Sequence, residues 1–171
     1  MININKRGLL LMNKQEKTNV MRVLEQKKIP YKSYTYTQDA STSGEEIARI
    51  LGENPECVFK TLVTRGKTGQ YYVFVVPVAK ELDLKKAAKA AGEKSIEMIK
   101  QKELLPLTGY VHGGCSPIGM KKQFKTYIHN TAVNFDTIFF SAGKVGYQVE
   151  VSPEDMGKAF PYTIGDIISD E

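Results

Sequence analysis

Apolar residues along this chain recur with two periods, and the changes of period mark its elements. Val20, Val23 and Leu24 fall at helical spacing within residues 17–26, with Thr18 placed to cap them and Pro30 shortly past their end, so a first amphipathic helix is predicted. Residues 31–37 alternate instead, which predicts a strand carrying Tyr34 and Tyr36 on one side. Ser43 with Glu46 three residues on, then Ile47, Ile50 and Leu51, has the form of a capping box, and Gly52 supplies the stop of a second helix. Residues 58–64 and 71–78 are β-prone runs separated by a loop holding Gly66 and Gly69. They predict a hairpin whose second strand is apolar enough to lie centrally. Asp83 is placed to cap a helix over 84–91 that Gly92 ends.

Residues 96–105 fit either a short strand at 96–98 followed by a short helix or one longer helix, with Pro106 closing both. Residues 126–129, 137–141 and 147–151 predict strands. Ser152-Pro153 opens a helix with acids in its first turn, and 163–168 predicts a last short helix. No internal repeat or linker divides the chain. The expected fold is a single α+β domain, a mixed sheet with peripheral helices.

At 171 residues, 42% of them hydrophobic, one domain can bury a substantial core. The apolar run at 9–12 is shorter than the roughly 7–15 residues of a secretory segment and far below a membrane span, so a cytoplasmic protein with no membrane partner is expected. Met12 is an alternative start, and residues 1–13 are expected to be a flexible extension of a domain at 14–171. The net charge of +5 and a pI near 9.1 favour a polyanionic partner such as nucleic acid. The competing reading of Lys85, Lys86 and Lys89 is the solvated face of a helix. Cys57 and Cys115 form no C-x-x-C pair, and His112 and His129 have no ligand cluster around them. Free thiols, no metal site and no cofactor are expected.

Residues 109–122, GYVHGGCSPIGMKK, read as a binding loop. Gly113, Gly114 and Gly119 tolerate φ > 0 and let backbone N–H groups turn toward a ligand, while Pro117 stiffens the turn. Such a loop suits a phosphate or a developing oxyanion; the alternative is an ordinary tight turn with Lys121 and Lys122 solvated beside it. Lys60 is a second oddity, a charge set between Phe59 and Leu62 in a half-buried strand.

VFKTLV at 58–63, VVPVAKELDLKKAAKAAG at 75–92, the glycine loop and FFSAGKVGYQVEV at 139–151 occur in this order. Together they closely resemble the YbaK/EbsC family of free-standing aminoacyl-tRNA deacylases, from about residue 14 to the C-terminus. The resemblance implies a mixed, barrel-like sheet wrapped by helices, related to the editing domain inserted in bacterial prolyl-tRNA synthetases. It implies hydrolysis of cysteine wrongly attached to proline tRNA, with cysteine tRNA as a further substrate. The expected partners are the acceptor end of proline tRNA and, weakly, prolyl-tRNA synthetase. Competing expectations keep the fold but edit alanine or serine, or make the protein a non-catalytic RNA-binding regulator.

Carried over by motif, the catalytic residues are Lys60, Gly113, Gly114 and Ser141, and the substrate-binding residues are Tyr36, Ser43, Ser116, Pro117, Ile118, Gly143 and Lys144. Gln148 stands where some relatives carry an acid, and Ser43 where a bulkier pocket residue is expected. What the resemblance implies for mechanism is attack by the substrate's own thiol. The protein then positions groups and stabilises an oxyanion. Cys115 follows His112 by three residues, but a glycine-rich loop does not fix them as a nucleophile and its base.

Overall fold

The computed structural model describes residues 3–4, 10–11, 16–37 and 42–170. Strands β1 (Asn3–Ile4) and β2 (Leu10–Leu11) pair antiparallel within the expected extension. The remainder of residues 1–13, including Met12 as an alternative start, lies outside the described residues. Helix α1 (Asn19–Gln26) is capped by the Thr18 hydroxyl, which accepts from the Met21 N–H, and it buries Val20, Met21 and Leu24. Strand β3 (Lys32–Thr35) and helix α2 (Gly44–Leu51) follow. Ser43 accepts from the Glu46 N–H and Gly52 ends α2 at φ 69°, as the capping pattern predicts. The Glu46 carboxylate pairs with Arg49.

β4 (Phe59–Gly66) and β5 (Tyr71–Pro77) form the expected hairpin, in register from Phe59 opposite Pro77 to Arg65 opposite Tyr71. α3 (Leu84–Ala91), capped by Asp83 and Gly92, leads to β6 (Ile96–Met98) and α4 (Gln101–Thr108). β7 (Lys125–His129), β8 (Ile138–Ser141), β9 (Tyr147–Val151), α5 (Pro153–Met156) and β10 (Thr163–Gly165) complete the order.

Five strands lie in the order β10-β7-β5-β4-β6, with β7 parallel to both neighbours and the remaining pairs antiparallel. The sheet is therefore mixed, as expected. β5 is buried on both faces. Val73 and Val75 meet α1, Ile118 and Phe140 on one side; Tyr72, Phe74 and Val76 meet Ala87 and Ala88 of α3 on the other. Each such side chain contributes about 1.5–3 kcal/mol on burial, which fixes β5 as the centre. A second, antiparallel sheet, β3-β9-β8, abuts the first at a bridge between Val58 and Phe139. The sheets do not close into a barrel, because β6 and β10 remain edges of the larger one. No helix among the described residues is long and apolar enough to cross a membrane.

Two local expectations are corrected. Pro106 does not close α4. It sits exposed within the helix, where its missing N–H forfeits only the bond to Lys102, and the helix runs on to Thr108 before Gly109 ends it at φ 86°. Residues 163–168 are not a helix. Thr163 to Gly165 add a parallel edge to β7, Ile168 bridges back to Leu82, and the segment is tied to α3 by Lys86, whose Nζ reaches Asp166, Asp170 and the Ile168 carbonyl. Lys86 is thus an internal clamp. His129 is buried, and its Nδ1 accepts from the Ile167 N–H at 3.3 Å.

Candidate active site

A cavity of about 280 Å³ opens where the first residues of β4, the start of α2, the β8–β9 hairpin and the loop after α4 converge. The hairpin places Lys60 at its mouth. Phe59 turns into the main core, so Lys60 takes the opposite direction and pairs only loosely with Glu81, 3.7 Å away and 85% exposed. The α2 cap sets the facing wall: Gly44 lies so close to Val78 that a β-carbon there would sit 2.4 Å from Cγ1, which holds Ser43 beside Lys60. Tyr36 follows β3 and keeps its N–H on the Gly146 carbonyl at 2.9 Å. Burial raises its phenol pKa, so it stays a neutral donor.

The glycine loop supplies the third wall. Val111 to Gly114 is a tight turn in which the Gly114 N–H donates to the Val111 carbonyl at 2.9 Å and Gly113 takes φ 85°, the position that favours glycine. Gly113 and Cys115 line the cavity, and among the described residues no acceptor engages their backbone N–H groups. Unengaged backbone amides at a cavity are the kind of donor that can receive an anion or a developing oxyanion, fixed before reaction begins. Burial pushes the Cys115 thiol up to about 12, so it carries almost no thiolate. Ser141 lines the fourth wall, and its Oγ accepts from the Gly143 N–H at 3.1 Å.

Of the residues expected from sequence, Tyr36, Ser43, Lys60, Gly113 and Ser141 meet in this cavity. The others stand behind it. Gly114 has already committed its N–H and packs on the Lys144–Val145 backbone, so it cannot offer an amide as expected. Ser116, Pro117 and Ile118 are the buried part of the loop and do not line the cavity. Gly143 faces Tyr110, and Lys144 is held by Glu16 at 2.9 Å and lies over the Tyr147 ring.

Sequence reasoning missed Leu104, Phe140 and Tyr147 as lining residues, and missed the polar floor. There Gln148 Oε1 and Thr61 Oγ1 are buried without a hydrogen-bond partner among the described residues. Such groups are uncommon in folded proteins and point to a ligand that completes them. Thr61 was findable as the neighbour of Lys60 in the strand motif.

A mixed α+β domain with a lysine, two unengaged amides and a polar floor around one cleft has the equipment to hold an acyl ester. The chain belongs to the aminoacyl-tRNA editing domain family, whose model matches residues 37–159. It is 50% identical over 141 residues to an Enterococcus faecalis protein provisionally named Cys-tRNA(Pro)/Cys-tRNA(Cys) deacylase EbsC, covering 82% of this chain and 86% of that one. It is 26% identical over 124 residues to an uncharacterized Bacillus subtilis protein, YwhH, covering 72% of this chain and 78% of that one. A solved structure described provisionally as a trans-editing enzyme for prolyl-tRNA synthetase superposes with a TM-score of 0.78 at 22% identity, over 88% of this chain and 95% of that one.

Proposed function

We propose that the protein removes cysteine mischarged onto proline tRNA, and cysteine from cysteine tRNA as well, by letting the substrate's thiol attack its own ester. Aminoacyl-tRNA deacylation is the activity of its family; cysteine, these tRNAs and the thiol step are the finer assignment. The observation that carries it is a cavity furnished for positioning but lacking an activated nucleophile. Cys115 is held as a thiol, and among the described residues no histidine hydrogen-bonds the hydroxyl of Ser43 or Ser141.

In this reading Lys60 meets the terminal phosphate or ribose, and Tyr36 and Ser43 flank it. Gln148 and Thr61 accept from the substrate's α-ammonium. The thiolate attacks the carbonyl and forms a C–S bond, and the Gly113 and Cys115 amides receive the oxyanion. The C–O bond to the terminal ribose then breaks, with the ribose oxygen taking the proton lost by the thiol. Water opens the strained cyclic thioester to free cysteine. A proline pocket rejects cysteine poorly on size, so a second hydrolytic site supplies the missing selectivity. Prolyl-tRNA synthetase is the natural weak partner.

The test is incubation with Cys-, Ala- and Ser-charged proline tRNA against a no-enzyme control. Cys-tRNA is expected to lose its ester at least about a hundredfold faster than Ser-tRNA, because a hydroxyl is a far poorer nucleophile than a thiol that is a few per cent ionised near neutral pH. Comparable rates on alanine or serine would reject the thiol step, and binding without turnover would make the protein a regulator.

Cys115→Ser and Cys115→Ala change the side chain and keep the amide, so both are expected to retain at least about half the wild-type rate. An acyl group trapped on Cys115 in a mass spectrum would replace this mechanism with covalent catalysis.

A further inference from the structure

Behind the cavity, the two loops that close it are seated on one buried tyrosine. Tyr110 is 5% exposed, and its hydroxyl donates to the Ile118 carbonyl at 2.5 Å. Asn19, the first residue of α1, donates through Nδ2 to the Tyr110 hydroxyl at 3.3 Å and to the Gly119 carbonyl at 2.9 Å. The Tyr110 ring meanwhile fills the space in front of the other loop, where a β-carbon on Gly143 would lie 2.9 Å from Cε1. On Gly119 a β-carbon would fall 2.8 Å from the Tyr110 hydroxyl and 2.5 Å from Asn19 Nδ2. Gly114 completes the joint by packing its Cα on the backbone of residues 144–145.

We infer that Tyr110 and Asn19 form a strut that sets the spacing between the Gly113–Met120 and Ser141–Gly146 loops and thereby aims the Gly113 and Cys115 amides at the ester. Neither residue lines the cavity, so both are positioning residues acting through the loops. The strut also accounts for Gly114, Gly119 and Gly143, whose lack of a side chain serves the joint. Its geometry demands a donor at 19. Aspartate has the shape of asparagine and suits the first turn of a helix, where a negative charge meets the positive end of the dipole, yet it cannot donate to the Gly119 carbonyl and would repel it. Asn19→Asp therefore separates positioning from folding. Tyr110→Phe keeps the ring against Gly143 and removes the hydroxyl's bonds to the Ile118 carbonyl and to Asn19.

The strut can be read without substrate through Cys115, which the loop leaves only half-buried at the cavity wall. In a Cys57→Ser background, alkylation by N-ethylmaleimide is expected to be at least about tenfold faster in Tyr110→Phe than in its parent, and severalfold faster in Asn19→Asp, whose melting temperature stays within about 5 °C of the parent's because the dipole gain offsets most of the lost bond. The kinetic arm rests on the deacylase reading. With Cys-tRNA, Tyr110→Phe is expected to lower kcat about tenfold with KM within about twofold, the split of a group acting in the transition state only. Unchanged alkylation in both variants overturns the strut, and faster alkylation with unchanged kcat overturns its role in aiming the amides. If Cys-tRNA proves not to be a substrate, the proposed function fails by itself and the alkylation rates still decide whether the strut exists.

Discussion

Lys60→Ala is expected to lower kcat/KM for deacylation about tenfold to a hundredfold while leaving folding stability within about 1 kcal/mol of wild type. The two halves of this expectation have separate physical sources. In the free protein the ammonium has, among the described residues, Glu81 at 3.7 Å and 85% exposed, and ion pairs of that kind contribute about 0–1 kcal/mol. The core barely depends on it. Bound to a phosphate at the cavity mouth, the same ammonium makes a charge-assisted hydrogen bond worth about 1.5–3 kcal/mol. The alternative, a lysine that only carries its charge to solvent, predicts no kinetic effect. Deacylation at subsaturating tRNA together with a thermal melt separates the two, and wild-type turnover by a folded variant would remove Lys60 from the site.

Gly143→Ala is expected to cost about 2–5 kcal/mol of stability, or a melting temperature lower by roughly 5–15 °C. At φ 92° a side chain is strained whatever the space around it. Here the space is also taken: the new β-carbon would lie 2.9 Å from the Tyr110 ring and 3.0 Å from Val20 Cγ2, and both neighbours are buried. Gly69 is the matched control, since it has φ 91° with nothing within 4 Å of a β-carbon. Gly69→Ala therefore bears the backbone strain alone, about 1–3 kcal/mol. Equal melting temperatures for the two variants would show that Tyr110 yields to the methyl group and that the packing between the loops is loose.

The sequence was most legible where a few adjacent residues decide the outcome. Ser43 and Gly52 around α2, and Asp83 and Gly92 around α3, are caps whose chemistry is complete within one turn, and both helices have the expected limits. Residues 163–168 failed for the opposite reason. Three of them become a strand only because β7, more than thirty residues earlier, offers an edge in parallel register. Pro106 misled because a proline is a local stop signal, whereas an exposed proline in a short helix removes one bond and no packing. In the site, Lys60 announced itself as a charge in an apolar strand. Tyr147 and Leu104 look like ordinary core residues, and only the placement of the hairpin and of α4 turns them toward the cavity. Gly114 and Gly143 were expected at the site as motif glycines, but a motif does not say whether the missing side chain makes room for a ligand or for a neighbouring loop, and here both face neighbouring protein atoms.

The pairing of β3 with β9 also imposes an order on biosynthesis. Thr35 finds its partner in Tyr147, and Lys32 in Glu150, so the strand that leads to Tyr36 lacks its hydrogen-bonded partner until more than a hundred further residues have been made. At about 5–20 residues per second that interval is roughly 5–20 s, during which the nascent chain holds Lys60 without an assembled cleft around it. The cleft can close around Lys60 only once β9 has left the exit tunnel to pair with β3.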